Sequence, residues 1–227
     1  MVLRTLLAVA LLFAAPLFAT HTAGAAPVPA AGPVALACNG YVALTYDDGP
    51  NGQYTRPLLN ALRSAGARAT FFDLGSRVQQ QPQLTRETAQ AGMWIGNHSW
   101  SHPYLTNLSA AAVAKELNDT QNAIRNATGQ APTLFRPPYG ATNWTVQNEA
   151  RKLGLTQVIW SVDTQDWNGA STDAIVRAAT GANAGGIVLM HASYQNTVNA
   201  VPRIVQGLAA KNLCPGRIDS SGRVVAP

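Results

Sequence analysis

Val42-Ala43-Leu44-Thr45-Tyr46-Asp47-Asp48-Gly49-Pro50 is a short apolar run that ends in two carboxylates and a turn. A run of this length between turn signals reads as a buried strand. Beyond it, a helix is expected over residues 55–65, stopped by Gly66. The alternation then continues. Strands are expected at 69–74, 93–96, 133–135, 157–162 and 187–190. Helices are expected at 84–91, from a Ser109 cap to about 127, at 144–153, from a Ser171 or Thr172 cap to about 180, and at 198–211. Strand-then-helix order predicts a parallel sheet covered by helices in a single α/β domain. A closed or distorted (β/α) barrel is the first expectation and an open doubly wound sheet the second.

The reactive side chains fall where these strands end. Asp47 and Asp48 follow the first strand, and His98-Ser99-Trp100-Ser101-His102 follows the run 93–96. Arg136-Pro137-Pro138-Tyr139-Gly140 follows 133–135, Asp163-Thr164-Gln165-Asp166-Trp167 follows 157–162, and His191 follows 187–190. In β/α barrels the C-terminal strand ends form the active-site face. The five clusters should therefore meet at one mouth. Of the 4 histidines in the chain, only His21 lies elsewhere.

His98 and His102 have a spacing that suits two ligands of one metal. The Glu of a His-Glu-x-x-His helix is missing, and Pro103 disfavours helix at His102, so the pair belongs on a turn. Two histidines need an anionic third ligand to make an open site, and both Asp47 and Asp48 are available. Taken alone, Asp-Asp-Gly-Pro is an ordinary turn sequence.

The five segments together resemble the polysaccharide deacetylases of carbohydrate esterase family 4, which carry the NodB-like domain. The match runs from about Cys38 to Cys214 and is similar to secreted actinobacterial acetylxylan esterases and chitin deacetylases. Tyr46 departs from the family's usual Phe, adding a hydroxyl beside the site. The resemblance implies the distorted (β/α) barrel of this family and a role for each matched residue. Asp48, His98 and His102 would hold a divalent metal, zinc or cobalt. Asp47 would be the general base for the attacking water, with Arg136 pairing to it. His191 would be the general acid, oriented and kept protonated by Asp166. The backbone N–H of Tyr139 would stabilise the oxyanion, and Trp167 and Leu189 would shape the acetyl pocket. The expected activity is removal of acetyl groups from chitin, chitooligosaccharides or acetylxylan, with peptidoglycan N-acetylglucosamine as the alternative substrate.

Composition agrees with a packed enzyme. The chain has 227 residues, 47% of them hydrophobic and 12% charged, enough apolar material for a core and too little charge for disorder. The net charge of +5 comes from scattered residues with no basic run, so no nucleic-acid partner is expected. Arg4, the apolar stretch 6–18 and the small residues around Ala26 read as a signal peptide over residues 1–26. A flexible Pro/Ala/Gly leader is expected over 27–37, then the catalytic domain over 38–214 and a tail over 215–227. The expectation is a secreted, extracellular monomer with no membrane attachment after cleavage. Cys38 and Cys214, the two cysteines of an exported chain, are expected to form a disulfide tying the first strand to the last helix. Lipidation at Cys38 would orphan Cys214.

Other chemistries fit less well. A glycosidase needs two carboxylates facing each other about 5–9 Å apart, which sequence neighbours do not supply. A non-haem iron oxygenase also uses two His and a carboxylate, usually in a β-sandwich. A sugar-binding module using Trp100, Trp144 and Trp167 would have no use for Asp47 and His191. Neither Gly-x-Gly nor Gly-x-Ser-x-Gly occurs.

Overall fold

The first strand, β1 (Gly40–Gly49), spans ten residues and is the axis of the fold. In this computed structural model residues 1–2 and 38–227 are described. The chain divides into two units, Met1–Ala35 and Leu36–Pro227, and every described strand and helix belongs to the second. The expected signal peptide and leader lie outside the described residues, apart from Met1 and Val2. No described helix is long and apolar enough to cross a membrane.

After β1 come α1 (Thr55–Ser64), β2 (Thr70–Asp73), α2 (Gly75–Gln80), α3 (Pro82–Gln90), β3 (Trp94–Asn97), α4 (Ala110–Thr128), β4 (Leu134–Phe135) and α5 (Trp144–Lys152). Then come β5 (Thr156–Gln157), β6 (Val162–Asp163), α6 (Thr172–Thr180), β7 (Ile187–His191), α7 (Gln195–Ala209), β8 (Leu213–Pro215), β9 (Arg217–Ile218) and β10 (Val224–Val225). The helix ends obey local rules. Ser109 Oγ accepts from Ala112 N at 3.3 Å to open α4, and Gly129, at φ 84°, closes it in the left-handed region.

The main sheet is parallel, in the order β5-β4-β3-β2-β1-β7-β6, with β8 also pairing parallel to β1. Its two edges, β5 and β6, are consecutive in the chain and separated only by residues 158–161. Laid flat, seven strands would put the edges about 29 Å apart, whereas so short a link reaches about 18 Å at most. The sheet therefore rolls into a distorted, incompletely closed barrel. This corrects one expectation: 157–162 is not one strand; Gln157 ends β5, Val162 begins β6, and 158–161 is the seam between the two edges. The apolar run Val158-Ile159-Trp160 looks like a buried strand because periodicity alone cannot tell a strand from a stretch that plugs a gap.

Alternation along β1 sorts its side chains between two layers. Val42, Leu44 and Tyr46 pack with Leu58 and Leu62 of α1 and with Val201, Ile204 and Leu208 of α7. Ala43 points the other way, into a cluster with Phe72, Leu134, Val158 and Ile218 that fills the barrel. Thr45 and Asp47 share that inward direction above Ala43. Ile218 belongs to the segment expected to be a tail. Residues 217–225 instead form the antiparallel pair β9–β10, with Ile218 buried in the interior cluster.

Cys38 and Cys214 are bonded, with Cα atoms 5.6 Å apart. Cys214 sits in β8, where it pairs with Tyr41 of β1. The bridge thus ties the chain entering β1 to a neighbouring strand, not to the last helix. The helix α7 stops at Ala209, before the cysteine.

Candidate active site

All the strand-end clusters converge at one end of the barrel. A pocket of about 370 Å³ is lined by Asp47, Asp48, His98, His102, Tyr139, Trp160, Asp163, Trp167, Leu189 and His191. A larger groove, about 830 Å³, lies near Arg217 and Ile218 and touches none of these residues; the strand-end clusters line the smaller one.

Asp48, His98 and His102 each turn one potential ligand atom inward, all within 4.8 Å of one another. Asp48 Oδ1 is 3.5 Å from His98 Nε2 and 3.4 Å from His102 Nε2. His98 Nδ1 lies 2.8 Å from the carbonyl of Arg136, which can only accept. That bond puts the proton on Nδ1 and leaves the Nε2 lone pair facing the carboxylates. Burial pushes the His98 pKa down to about 3, against the pull of Asp48, so the ring is neutral near pH 7. Asp48 Oδ1 is buried with no hydrogen-bond partner. A lone pair, an orphaned carboxylate oxygen and a second imidazole within reach of one another make a donor set that could hold a divalent cation. The carbonyl behind His98 is the outer support such ligands need.

On one side stands Asp47, 2% exposed. Arg136 Nη1 donates to Asp47 Oδ1 at 2.8 Å and to Thr45 Oγ1 at 2.7 Å. Thr45 in turn donates to the Val188 carbonyl at 2.6 Å. The small inward residues Ala43 and Thr45 leave room for the Arg136 side chain, whose guanidinium stacks 4.3 Å above Phe72. Burial raises the Asp47 pKa, and the charges of Arg136 and His191 partly offset it.

His191, in register with Asp47 on the neighbouring strand β7, has its Nδ1 2.8 Å from Asp166 Oδ1. Asp166 is fully engaged. It also accepts from the backbone N–H of His191 at 2.8 Å, from Trp167 N at 2.9 Å and from Thr197 Oγ1 at 2.7 Å. Burial disfavours the charged His191 ring, but the hydrogen bond and charge of Asp166, with Asp47 and Asp48, outweigh it and raise the pKa.

Backbone strain marks the mouth. Asp48, His102 and Tyr139 have φ of 65°, 64° and 59°, and Ser99 and Gln165 beside them are also left-handed. Such conformations are uncommon for non-glycine residues and concentrate at functional sites. Tyr139 is followed by Gly140, at φ 68°, where a Cβ would come 2.9 Å from Trp160. The Tyr139 N–H makes no hydrogen bond among the described residues, and its ring stacks on Tyr104 at 4.0 Å.

A sequence profile of the polysaccharide deacetylase family matches residues 37–158. The chain belongs to the polysaccharide deacetylase family. A family 4 carbohydrate esterase from Streptomyces lividans, solved with acetate, is 54% identical with a TM-score of 0.82, covering 84% of this chain and 100% of that one. A bifunctional xylanase/xylan deacetylase of Cellvibrio japonicus is 48% identical over 193 residues, 84% of this chain and 29% of its own. A peptidoglycan-N-acetylglucosamine deacetylase of Listeria monocytogenes is 42% identical over 160 residues, 70% of this chain and 34% of its own. The chain spans about a third of the length of those two curated relatives.

In this polysaccharide deacetylase family member, the mouth gathers Asp47, Asp48, His98, His102, Tyr139, Trp167, Leu189 and His191. Arg136 and Asp166 stand behind, buried against Asp47 and His191. Tyr46 does not face the pocket. Its ring packs 5.3 Å from Phe71 on the helix side of the sheet, and its buried hydroxyl has no partner. Thr45, Thr197 and Trp160 are site residues that the sequence did not single out. Alternation could have found Thr45, two residues before Asp47 on the same face. Trp160 was hidden in the misread strand, and nothing local marks Thr197. Asn97, in an Asn-His-Ser triplet, is fully buried and donates to Leu117 O and Gln121 Oε1, so it is no glycan acceptor.

Proposed function

We propose that the protein is a secreted, metal-dependent carbohydrate deacetylase. It hydrolyses the N-acetyl groups of chitin or chitooligosaccharides, or the O-acetyl groups of acetylxylan. The observation that carries this reading is one mouth that holds two proton carriers next to a cation-type donor set. A buried carboxylate paired to Arg136 and a histidine paired to Asp166 stand in register on the neighbouring strands β1 and β7, with Asp48, His98 and His102 next to the carboxylate.

In this reading Asp47 takes a proton from the water that attacks the acetyl carbonyl. Arg136 and Thr45 hold it in one orientation. The Tyr139 N–H donates to the carbonyl oxygen as that atom gains negative charge. His191 gives its proton to the leaving nitrogen or oxygen as the C–N or C–O bond breaks, releasing acetate. Asp166 and Thr197 keep the ring in the orientation that places Nε2 toward the pocket. Trp167, positioned by an Nε1 bond to Asp163 Oδ1 at 3.3 Å, and Leu189 wall the acetyl methyl. Asp48, His98 and His102 would hold the divalent cation, zinc or cobalt, which when bound supplies Lewis acidity that polarises a carbonyl and acidifies water.

Peptidoglycan N-acetylglucosamine is a second substrate reading, favoured by the similarity to the Listeria deacetylase. Acetate release from acetylxylan, chitooligosaccharides and peptidoglycan, measured side by side with zinc or cobalt present, decides among them. No acetate from any of the three would sink the proposal. Cleavage of a signal peptide near Ala26 and a monomeric mass in solution belong to the same reading, and N-terminal sequencing and light scattering check them.

A further inference from the structure

We propose that Arg77 is a positioning residue for Asp48, acting through its backbone. The inference rests on Asp48, His98 and His102 being the metal ligands. Asp48 can aim Oδ1 at both imidazoles only while its main chain stays in the left-handed well, at φ 65°. For a residue with a side chain that well costs about 1–2 kcal/mol, so neighbouring groups must hold it there.

Arg77 does so from outside the site. It lies on α2, the short helix between β2 and α3, and its Nη1 donates to the Asp48 carbonyl oxygen. The next peptide is held as well, since Leu74 N donates to Gly49 O at 2.8 Å. Asp73, at the end of β2, packs against the same turn at Gly49. Asp73 is buried, and Thr85 Oγ1 of α3 donates to its Oδ2 at 2.9 Å. Asp73 Oδ1 presses so closely on Gly49 that a Cβ there would lie 2.3 Å away. Thr85 and Asp73 thus brace Gly49 while Arg77 holds the Asp48 carbonyl, and none of the three lines the pocket.

Groups that support metal ligands from behind typically contribute 10–100-fold to metal affinity. The test uses the full chain stripped of metal and titrated with cobalt(II). Affinity is read by competition with a chelator, and geometry by the visible absorption of the bound ion. Arg77→Met should bind cobalt about 10–100-fold more weakly, with an altered spectrum, while the melting temperature of the metal-free protein moves by only a few degrees. Arg77→Lys, which keeps charge and a donor, should recover part of the affinity. Arg56→Gln, at an exposed ion pair with Glu87, should change nothing. If Arg77→Met fails to fold, Arg77→Gln, which is too short to reach the Asp48 carbonyl and carries no charge, takes its place and should weaken cobalt binding in the same direction. Parent-like affinity and spectrum in Arg77→Met, or in Arg77→Gln where the first does not fold, would overturn the proposal. A parent that binds no cobalt would overturn it together with the ligand assignment, a result distinct from equal binding by parent and variant.

Discussion

His191 and Asp166 are joined twice: the ring Nδ1 meets one carboxylate oxygen at 2.8 Å and the backbone N–H of the same histidine meets the other at 2.8 Å. Asp166 therefore fixes both where His191 sits and how its ring is turned. It also raises the pKa of the imidazole, so the ring stays a proton donor to higher pH. An acid that must be protonated loses activity as pH rises through its pKa. Asp166→Asn removes the charge, so the alkaline limb of the kcat/KM profile should move to lower pH and turnover should fall. A mutant whose alkaline limb coincides with the parent's would show that the limb belongs to another group.

Metal removal should abolish acetate release, and zinc or cobalt should restore it. His98→Ala should lose both metal and turnover, because the Nε2 it removes is one of three inward-facing ligand atoms. Full activity in a sample verified as metal-free by elemental analysis would contradict the assignment.

Asp47→Asn should bind metal almost normally yet lose about 10²–10⁴-fold in kcat, the usual contribution of a general base. Its carboxylate is committed to Arg136 at 2.8 Å, while the nearest imidazole nitrogen is 3.7 Å away. Collapse of metal affinity with normal turnover per bound metal would mean that the roles of Asp47 and Asp48 are exchanged.

Arg136→Met should destabilise the protein by about 3–5 kcal/mol near neutral pH, the cost of leaving a buried charge without its partner. Chemical denaturation measures it. Asp47 is the stranded group, so the loss should shrink as pH falls and the carboxylate becomes protonated. A pH-independent loss would point to packing against Phe72 instead.

Cys38→Ser should lower the melting temperature while leaving kcat/KM near the parent value at 25 °C. A bridge across a separation of 176 residues stabilises chiefly by restricting the unfolded chain, by about 2–5 kcal/mol for native bridges in small secreted domains. Peptide mapping without reductant should recover the linked pair, and an unchanged melting temperature would refute the prediction.

The strand ends were legible because chemistry and periodicity change together there. Apolar runs stop and Asp, His and Arg begin, so the titratable residues of the mouth could be named from order alone, whereas the roles of Trp167 and Leu189 came from the family resemblance and Trp160 was missed. The closure of the barrel was not legible in the same way. Val158, Ile159 and Trp160 look like strand residues, and only the pairing of β5 with β4 and of β6 with β7 reveals a seam. The helix α2 escaped because its six residues carry too little periodicity, and with it went Arg77. The left-handed conformations of Asp48, His102 and Tyr139 have no glycine to announce them.

The disulfide has a consequence for where the folded chain can fray. Cys38 precedes the start of β1, whereas Asp47 lies seven residues beyond Gly40 along the same strand, a rise of about 23 Å. The strand β8 runs parallel to β1 at that same starting end, and the bridge to Cys214 clamps it there. The covalent clamp and the catalytic mouth therefore sit at opposite ends of one strand, so fraying of the chain end is stopped at the base of the barrel, remote from Asp47.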